Sequence, residues 1–123
     1  MPGANGPILV VDDDDVILGF IEMALNDEGY EVLQAANGAA ALEVTRSHQP
    51  GLILLDMKMP VMDGWTFAKA YGEQAESRAP IVVMTAAADA ARRAEDIGAE
   101  AYLPKPFDLD DLLDLVGRMT RRA

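Results

Sequence analysis

With 123 residues, half of them hydrophobic, the chain can build one domain around one core but not two. Its 10 basic and 21 acidic residues leave a net charge of -11, which repels phosphate backbones and argues against direct nucleic-acid binding. The lack of cysteine excludes disulfides and thiolate metal sites, and the single histidine, His48, excludes a multi-histidine centre.

Met1 to Pro7 reads as a short flexible lead before one domain over 8–123, with neither the charged nor the apolar region of a signal peptide. No apolar run approaches the ~20 residues of a membrane helix. A cytoplasmic protein with no membrane partner is expected. Ile8-Leu9-Val10-Val11 is an all-apolar run suited to a strand buried on both faces, and it ends in carboxylates. Ile17, Phe20, Ile21, Ala24 and Leu25 recur with the spacing of an amphipathic helix, capped by one of Asp13 to Asp15 and ended by Gly29.

Tyr30 to Ala35 is a second strand. Asn37-Gly38 opens a helix with Ala41, Leu42 and Thr45 inward, which Pro50 forbids from continuing. Leu52 to Leu55 is the third strand, bounded by Pro50-Gly51 and Pro60 and stopping at Asp56. Asp63-Gly64 starts a helix carrying Phe67, Ala68 and Tyr71, with Trp65 partly buried. After a loop over Ser77 to Pro80, Pro80 to Thr85 is the fourth strand. Ala86 to Ile97 is helical in composition and ends at Gly98. Ala99 to Leu103 is the last strand. Asp108 can cap a final helix with Leu109, Leu112, Leu113, Val116 and Met119 on one face. The seven methionines read as packing rather than a cofactor site, and His48 as a charge at a helix end. Five strands alternating with five helices predict a parallel sheet covered on both faces by right-handed crossovers.

In such a sheet the working residues lie beyond the carboxyl ends of the strands. Asp12 and Asp13 end the first strand and Asp56 the third. If these strands are neighbours, three carboxylates meet, an arrangement that calls for a cation or for protons. All-oxygen, carboxylate-rich ligation suits Mg²⁺. Aspartates at strand ends also simply cap helices, a reading open for Asp13 to Asp15 but poor for Asp56, which no helix start follows for several residues. Thr85 ends the fourth strand, and Lys105, between Pro104 and Pro106, follows the fifth. Acids, a hydroxyl and an ammonium together can bind a metal and a transferring phosphoryl group.

Four segments carry a resemblance: Ile8 to Asp13, Leu54 to Gly64, Val83 to Ala86 and Tyr102 to Phe107. In this order and spacing they resemble the receiver domain of bacterial two-component response regulators, over nearly the whole chain. The resemblance implies a flavodoxin-like (βα)5 fold, an α/β three-layer sandwich with strand order 2-1-3-4-5, in a stand-alone receiver. It implies that Asp56 accepts a phosphoryl group from a histidine kinase or histidine phosphotransfer protein. It further implies Mg²⁺ on Asp12, Asp13, Asp56 and the backbone carbonyl of Lys58, with Thr85 and Lys105 on the phosphoryl oxygens. Tyr102 becomes the aromatic switch residue, Gly64 shapes the turn after the site, and the Lys105-Pro106 bond is cis.

Lys58 and Ala87 stand where attacking water approaches and so bear on the lifetime of the phosphoryl form. The expected output is a protein contact, or a homodimer, through the face of the fourth helix, fifth strand and fifth helix. There Arg92 and Arg93 lie opposite Asp110, Asp111 and Asp114. Such a protein is a phosphoacceptor with autocatalytic phosphotransfer and autodephosphorylation, not a turnover enzyme. The alternatives read less well. A phosphatase with an aspartate nucleophile usually has a second aspartate where Lys58 stands. A flavin- or nucleotide-binding protein needs a phosphate-cradling loop where Asp12 to Asp15 stand. A receiver-like interaction module that no longer uses phosphorylation is the remaining alternative.

Overall fold

The computed structural model describes residues 6–120. In chain order the elements are β1 (Ile8–Val11), α1 (Asp15–Asp27), β2 (Val32–Ala35), α2 (Gly38–Ser47), β3 (Leu52–Asp56), α3 (Gly64–Gln74), β4 (Ile81–Ala86), α4 (Ala90–Ile97), β5 (Ala101–Lys105) and α5 (Leu109–Thr120). The strands form one parallel sheet in the order β2-β1-β3-β4-β5, as the resemblance implies. Met1 to Asn5, most of the expected lead, and Arg121 to Ala123 lie outside the described residues. Pro7 is already tied in, its carbonyl accepting the Gly51 amide at 2.8 Å.

The apolar runs are continuous because the central strands are covered twice. Every residue of β1 and β3 is buried. Side chains alternate across the sheet, so Ile8, Val10, Leu52 and Leu54 face α1 and α5, meeting Leu18, Ile21, Leu25, Leu112, Leu115 and Val116. Leu9, Val11, Ile53 and Leu55 face the other way, toward Ala41, Leu42, Phe67, Tyr71 and Ala94 of α2, α3 and α4. Phe67 stacks on Tyr71 with ring centroids 5.5 Å apart. Each buried aliphatic or aromatic side chain contributes roughly 1.5–3 kcal/mol.

Side chains set the helix starts. Asp14 accepts the Val16 amide at 2.9 Å, Asn37 that of Ala40 at 2.9 Å, Asp63 that of Thr66 at 2.9 Å and Asp108 that of Asp111 at 2.9 Å. Such caps stabilise a helix by about 1 kcal/mol each. Of the three aspartates considered for the first cap, Asp14 does the work. Gly98 ends α4 in the left-handed region at φ 66°, where a side chain would be strained.

Several sequence expectations shift. The buried stripe of α1 is Leu18, Ile21, Ala24 and Leu25, while Phe20 is exposed. The buried face of α5 uses Leu112, Leu115 and Val116, with Leu109 exposed. Leu109 is the first residue of α5 and lies at the helix end, whereas Phe20, in the middle of α1, sits at the edge of the buried stripe with its ring centroid 6.5 Å from that of Phe107. The β2 strand starts at Val32, not Tyr30. Ala86 closes β4 rather than opening α4, because the Ala87 amide donates to the Lys105 carbonyl and α4 begins only at Ala90. The β5 strand runs two residues later than expected, since its register pairs Val82 with Ala101 and Ala86 with Lys105.

The two-sided burial of β3 makes a prediction. Leu54→Ala should lower the free energy of unfolding by about 2–5 kcal/mol. Leu33→Ala, at a half-buried position on the edge strand β2, should cost less than half as much. Urea denaturation of both variants checks the ranking.

Candidate functional site

The register brings the strand ends together. Val11 pairs with Leu55 and Asp56 pairs with Met84, so the residues just past β1 lie level with the end of β3, and Thr85 stands one place further along β4. The ligand oxygens of Asp12, Asp13 and Asp56 all come within 4.8 Å of one another, a group that could hold a metal ion. Asp12 is fully buried, Asp56 nearly so and Asp13 exposed.

Asp12 is committed at both oxygens. Oδ1 accepts the Asp14 amide at 3.0 Å, and Oδ2 accepts Lys105 Nζ at 2.8 Å. Lys105 also approaches Asp56 Oδ1 at 3.7 Å, bridging the two buried carboxylates from the end of β5. Asp56 Oδ1 accepts the Met57 amide at 2.9 Å, whereas Oδ2 has no hydrogen-bond partner among the described residues. Thr85 is buried beside them. Tyr102 lies on β5 opposite Val83, on the α4 side of the sheet, and is 47% exposed. Lys58 is exposed.

Burial dominates the electrostatics of Asp56. Together with the charge of Asp12 it pushes the Asp56 carboxyl up to about 6, against the opposing pull of Lys105 and the Met57 amide. Burial alone would lower the Lys105 amine. The hydrogen bond and charge of Asp12, with the charge of Asp56, outweigh it and hold the amine above its ordinary value. A carboxylate trio with one ammonium is thus short of positive charge, and a divalent cation is the natural complement.

Two features of the loop after β3 escaped the sequence. The turn residue with left-handed backbone is Val61, at φ 69° and 84% exposed, not Gly64. A β-branched residue there stores strain on the order of 1–3 kcal/mol. Gly64 serves close approach instead: its amide donates to the Met57 carbonyl at 2.8 Å, and an added Cβ would lie 2.8 Å from the Asp56 carbonyl oxygen. A glycine following the Asp63 cap is the signal that could have revealed it. The Lys105–Pro106 peptide is cis, as expected. Arg93 does not pair with Asp110, Asp111 or Asp114; it lies 3.4 Å from Asp96 and 4.0 Å from Asp89 on its own helix.

A doubly wound sheet with a carboxylate trio, a threonine and a lysine at its carboxyl edge defines the receiver class of signalling domains. The family model for the response regulator receiver domain matches residues 8–117, and the chain belongs to that family. It is 38% identical over 114 residues to sporulation initiation phosphotransferase F of Bacillus subtilis, covering 91% of each chain. It is 42% identical over 116 residues to the DNA-binding transcriptional regulator NtrC of Escherichia coli, covering 93% of this chain but only 24% of NtrC. Among solved structures, the chemotaxis response regulator CheY4 of Vibrio cholerae superposes with a TM-score of 0.83 at 34% identity, covering 92% of this chain and 97% of that one. Among the described residues no helix is long and apolar enough to cross a membrane.

The raised Asp56 pKa fixes the sign of a pH effect. Between the ordinary value of 3.8 and about 6 the folded chain holds a proton that the unfolded chain has released. Its contribution to stability is therefore full below 3.8 and is lost as pH rises through about 6. In chelator, Asp56→Asn should raise the unfolding free energy at pH 8 by about 2–3 kcal/mol, the equivalent of the shift. At pH 4 the gain should be near zero. Urea midpoints at the two pH values test this; equal gains at both would contradict it.

Proposed function

We propose that this chain is a phosphoacceptor switch in which Asp56 receives a phosphoryl group from a histidine kinase or a histidine phosphotransfer protein. The observation that carries the reading is the position of Lys105, bridging Asp12 and Asp56 at 2.8 and 3.7 Å, over a carboxylate whose Oδ2 is left unpaired. The Oδ2 atom is then the nucleophile. It forms the new P–O bond as the P–N bond of a phosphohistidine breaks, and the bonding pair leaves with the imidazole nitrogen, which solvent protonates. Phosphoryl transfer requires little of the protein beyond alignment and charge neutralisation.

Lys105 and the Thr85 hydroxyl are assigned to the phosphoryl oxygens. Asp12, Asp13, Asp56 and the Lys58 carbonyl would hold Mg²⁺, which supplies positive charge to the carboxylates and the phosphoryl oxygens when bound. Lys105 Nζ, 3.7 Å from Asp56 Oδ1, stands where it could reach a phosphoryl oxygen on that residue. The transfer is autocatalytic, and so is the later hydrolysis, at a rate that Lys58 and Ala87 would influence. Output runs through Thr85 and Tyr102: a phosphoryl oxygen draws the threonine hydroxyl inward, and the tyrosine ring turns into the vacated space. The exposure of Tyr102 on the α4–β5–α5 face supports that face as the contact for a downstream protein or a second copy. A cytoplasmic location agrees with this role. The presence of the whole residue set favours a phosphoacceptor over a module that only binds partners. The relative from Bacillus subtilis is by name a phosphotransferase and the one from Vibrio cholerae a chemotaxis response regulator.

Two outcomes are expected. Acetyl phosphate with Mg²⁺ should add one phosphoryl group to the wild type and none to Asp56→Asn, as read by intact mass; equal addition to both would contradict the assignment. Mg²⁺ at about 100 times its Kd should stabilise the fold by about 2.7 kcal/mol and raise the melting temperature. Asp13→Ala should reduce that rise and slow phosphorylation, and identical melting curves in Mg²⁺ and in chelator would count against the cation site.

A further inference from the structure

The α4 helix is thinly seated. It has eight residues, of which Ala90 and Ala94, both small, are buried and Ile97 is half-buried against the same core. Its N-cap, Asp89, makes no capping hydrogen bond, and its carboxylate turns instead toward Arg93 at 4.0 Å. What grips α4 from outside is Trp65, the second residue of α3. The Arg93 guanidinium carbon stands 5.1 Å from the centre of the Trp65 ring, a cation–π geometry. The indole Nε1 donates to Asp96 Oδ2 at 3.2 Å, and Arg93 Nη1 reaches the same oxygen at 3.4 Å. The ring face and ring nitrogen therefore hold two residues one helical turn apart on α4.

At its other end this contact reaches the site. Gly64 precedes Trp65 and is pressed against the backbone of Asp56 and Met57, with no room for a Cβ. Met57 donates its amide to Asp56 Oδ1 and accepts the Gly64 amide at its carbonyl. A continuous set of contacts thus runs from the Asp56 carboxylate through Met57, Gly64 and Trp65 to Arg93 and Asp96. It does not pass through Thr85 or Tyr102.

We infer that Trp65 and Arg93 form a clamp that seats α4 on the start of α3 and couples the occupancy of the Asp56 pocket to the position of α4. The coupling rests on the phosphoacceptor reading of Asp56; the seating does not. The closed clamp carries a cost of its own. Arg93 Nε is buried with no hydrogen-bond partner among the described residues, so the closed clamp leaves one donor unmade, and opening it would return that donor to water. An element with two arrangements of similar free energy is what a site can bias through unequal affinity for them. A change at Asp56 Oδ1 that moves Met57 presses on Gly64, which is packed against it, and through Gly64 on the start of α3 that carries the indole.

Trp65 is the only tryptophan, so its emission reports on this cluster alone. The experiment compares the full chain with Arg93→Gln and Trp65→Leu, by amide exchange across Ala90–Ile97 and, where the indole remains, by emission. Each protein is measured in chelator and then with Mg²⁺ and beryllofluoride, with loading verified by the fluorine resonance of the bound ion. Without loading, both variants should exchange across α4 about two- to fivefold faster than wild type, the fold-change equivalent to an exposed cation–π contact. Wild-type exchange across α4 in either variant overturns the seating. On loading, the wild type should change both its emission and its α4 exchange, and Arg93→Gln should load but lose most of the exchange change. A loaded wild type with unmoved emission overturns the coupling, as does a loaded Arg93→Gln with the full wild-type response. If no bound resonance appears in the wild type, the phosphoacceptor reading fails and the coupling with it, and the unloaded comparison alone then decides whether the clamp seats α4.

Discussion

The structure depends on holding like charges together where they do not want to be. Asp12 and Asp56 are buried at adjacent strand ends, and Asp13 stands at the rim of the same group. Two buried carboxylates at such range repel, and burial deprives them of water. The Lys105 ammonium between them is the fold's answer, delivered from β5 across the full width of β4. One ammonium cannot balance the group. Burial, together with the charge of Asp12 that remains uncompensated, pushes the Asp56 carboxyl up to about 6. The same deficit makes the pocket receptive to added positive charge.

Such a cluster can exist only on a rigid support. The two strands that carry the acids are the most buried of the sheet, covered by α1 and α5 on one side and by α2, α3 and α4 on the other. Parallel strands end together at one edge, so the loops beyond them converge without any loop having to be long. Stability and function are thereby separated along β1, β3, β4 and β5, with apolar residues in the body and the site residues at or next to the carboxyl end. The α4 helix is held differently, by the small Ala90 and Ala94, by half-buried Ile97 and by the Trp65 contact.

The element types, the sheet order implied by the four matching segments, and the set Asp12, Asp13, Asp56, Thr85 and Lys105 were all legible in the chain. They could be read because each rests on a local rule: a bounded apolar run for a buried strand, an Asx residue before a helix, a polar residue where a strand stops. Leu109 was misplaced because periodicity does not say how far along a helix its neighbour extends, and Phe20 because several apolar stripes fit α1 and only packing chose the one through Leu18. The late start of α4 was missed because alanine favours a helix wherever the chain permits one. Ala86 is held in β4 by pairing with Lys105, nearly twenty places away.

By itself the sequence determined that this is an α/β domain with acids at its strand ends, and it determined where α2, α3 and α5 begin, since caps and apolar runs act over a few residues. Only the tertiary structure decided that Lys105 sits between Asp12 and Asp56, and that Asp56 Oδ2 is the oxygen left unpaired. It alone decided that Gly64 is needed for close approach rather than for a turn, and that Arg93 turns to Trp65 and Asp96 rather than to the acids of α5. Each of these is a choice among partners distant in the chain or chemically equivalent. Composition and spacing leave such choices open because several acids could have met the same cation, and packing closes them by admitting one geometry.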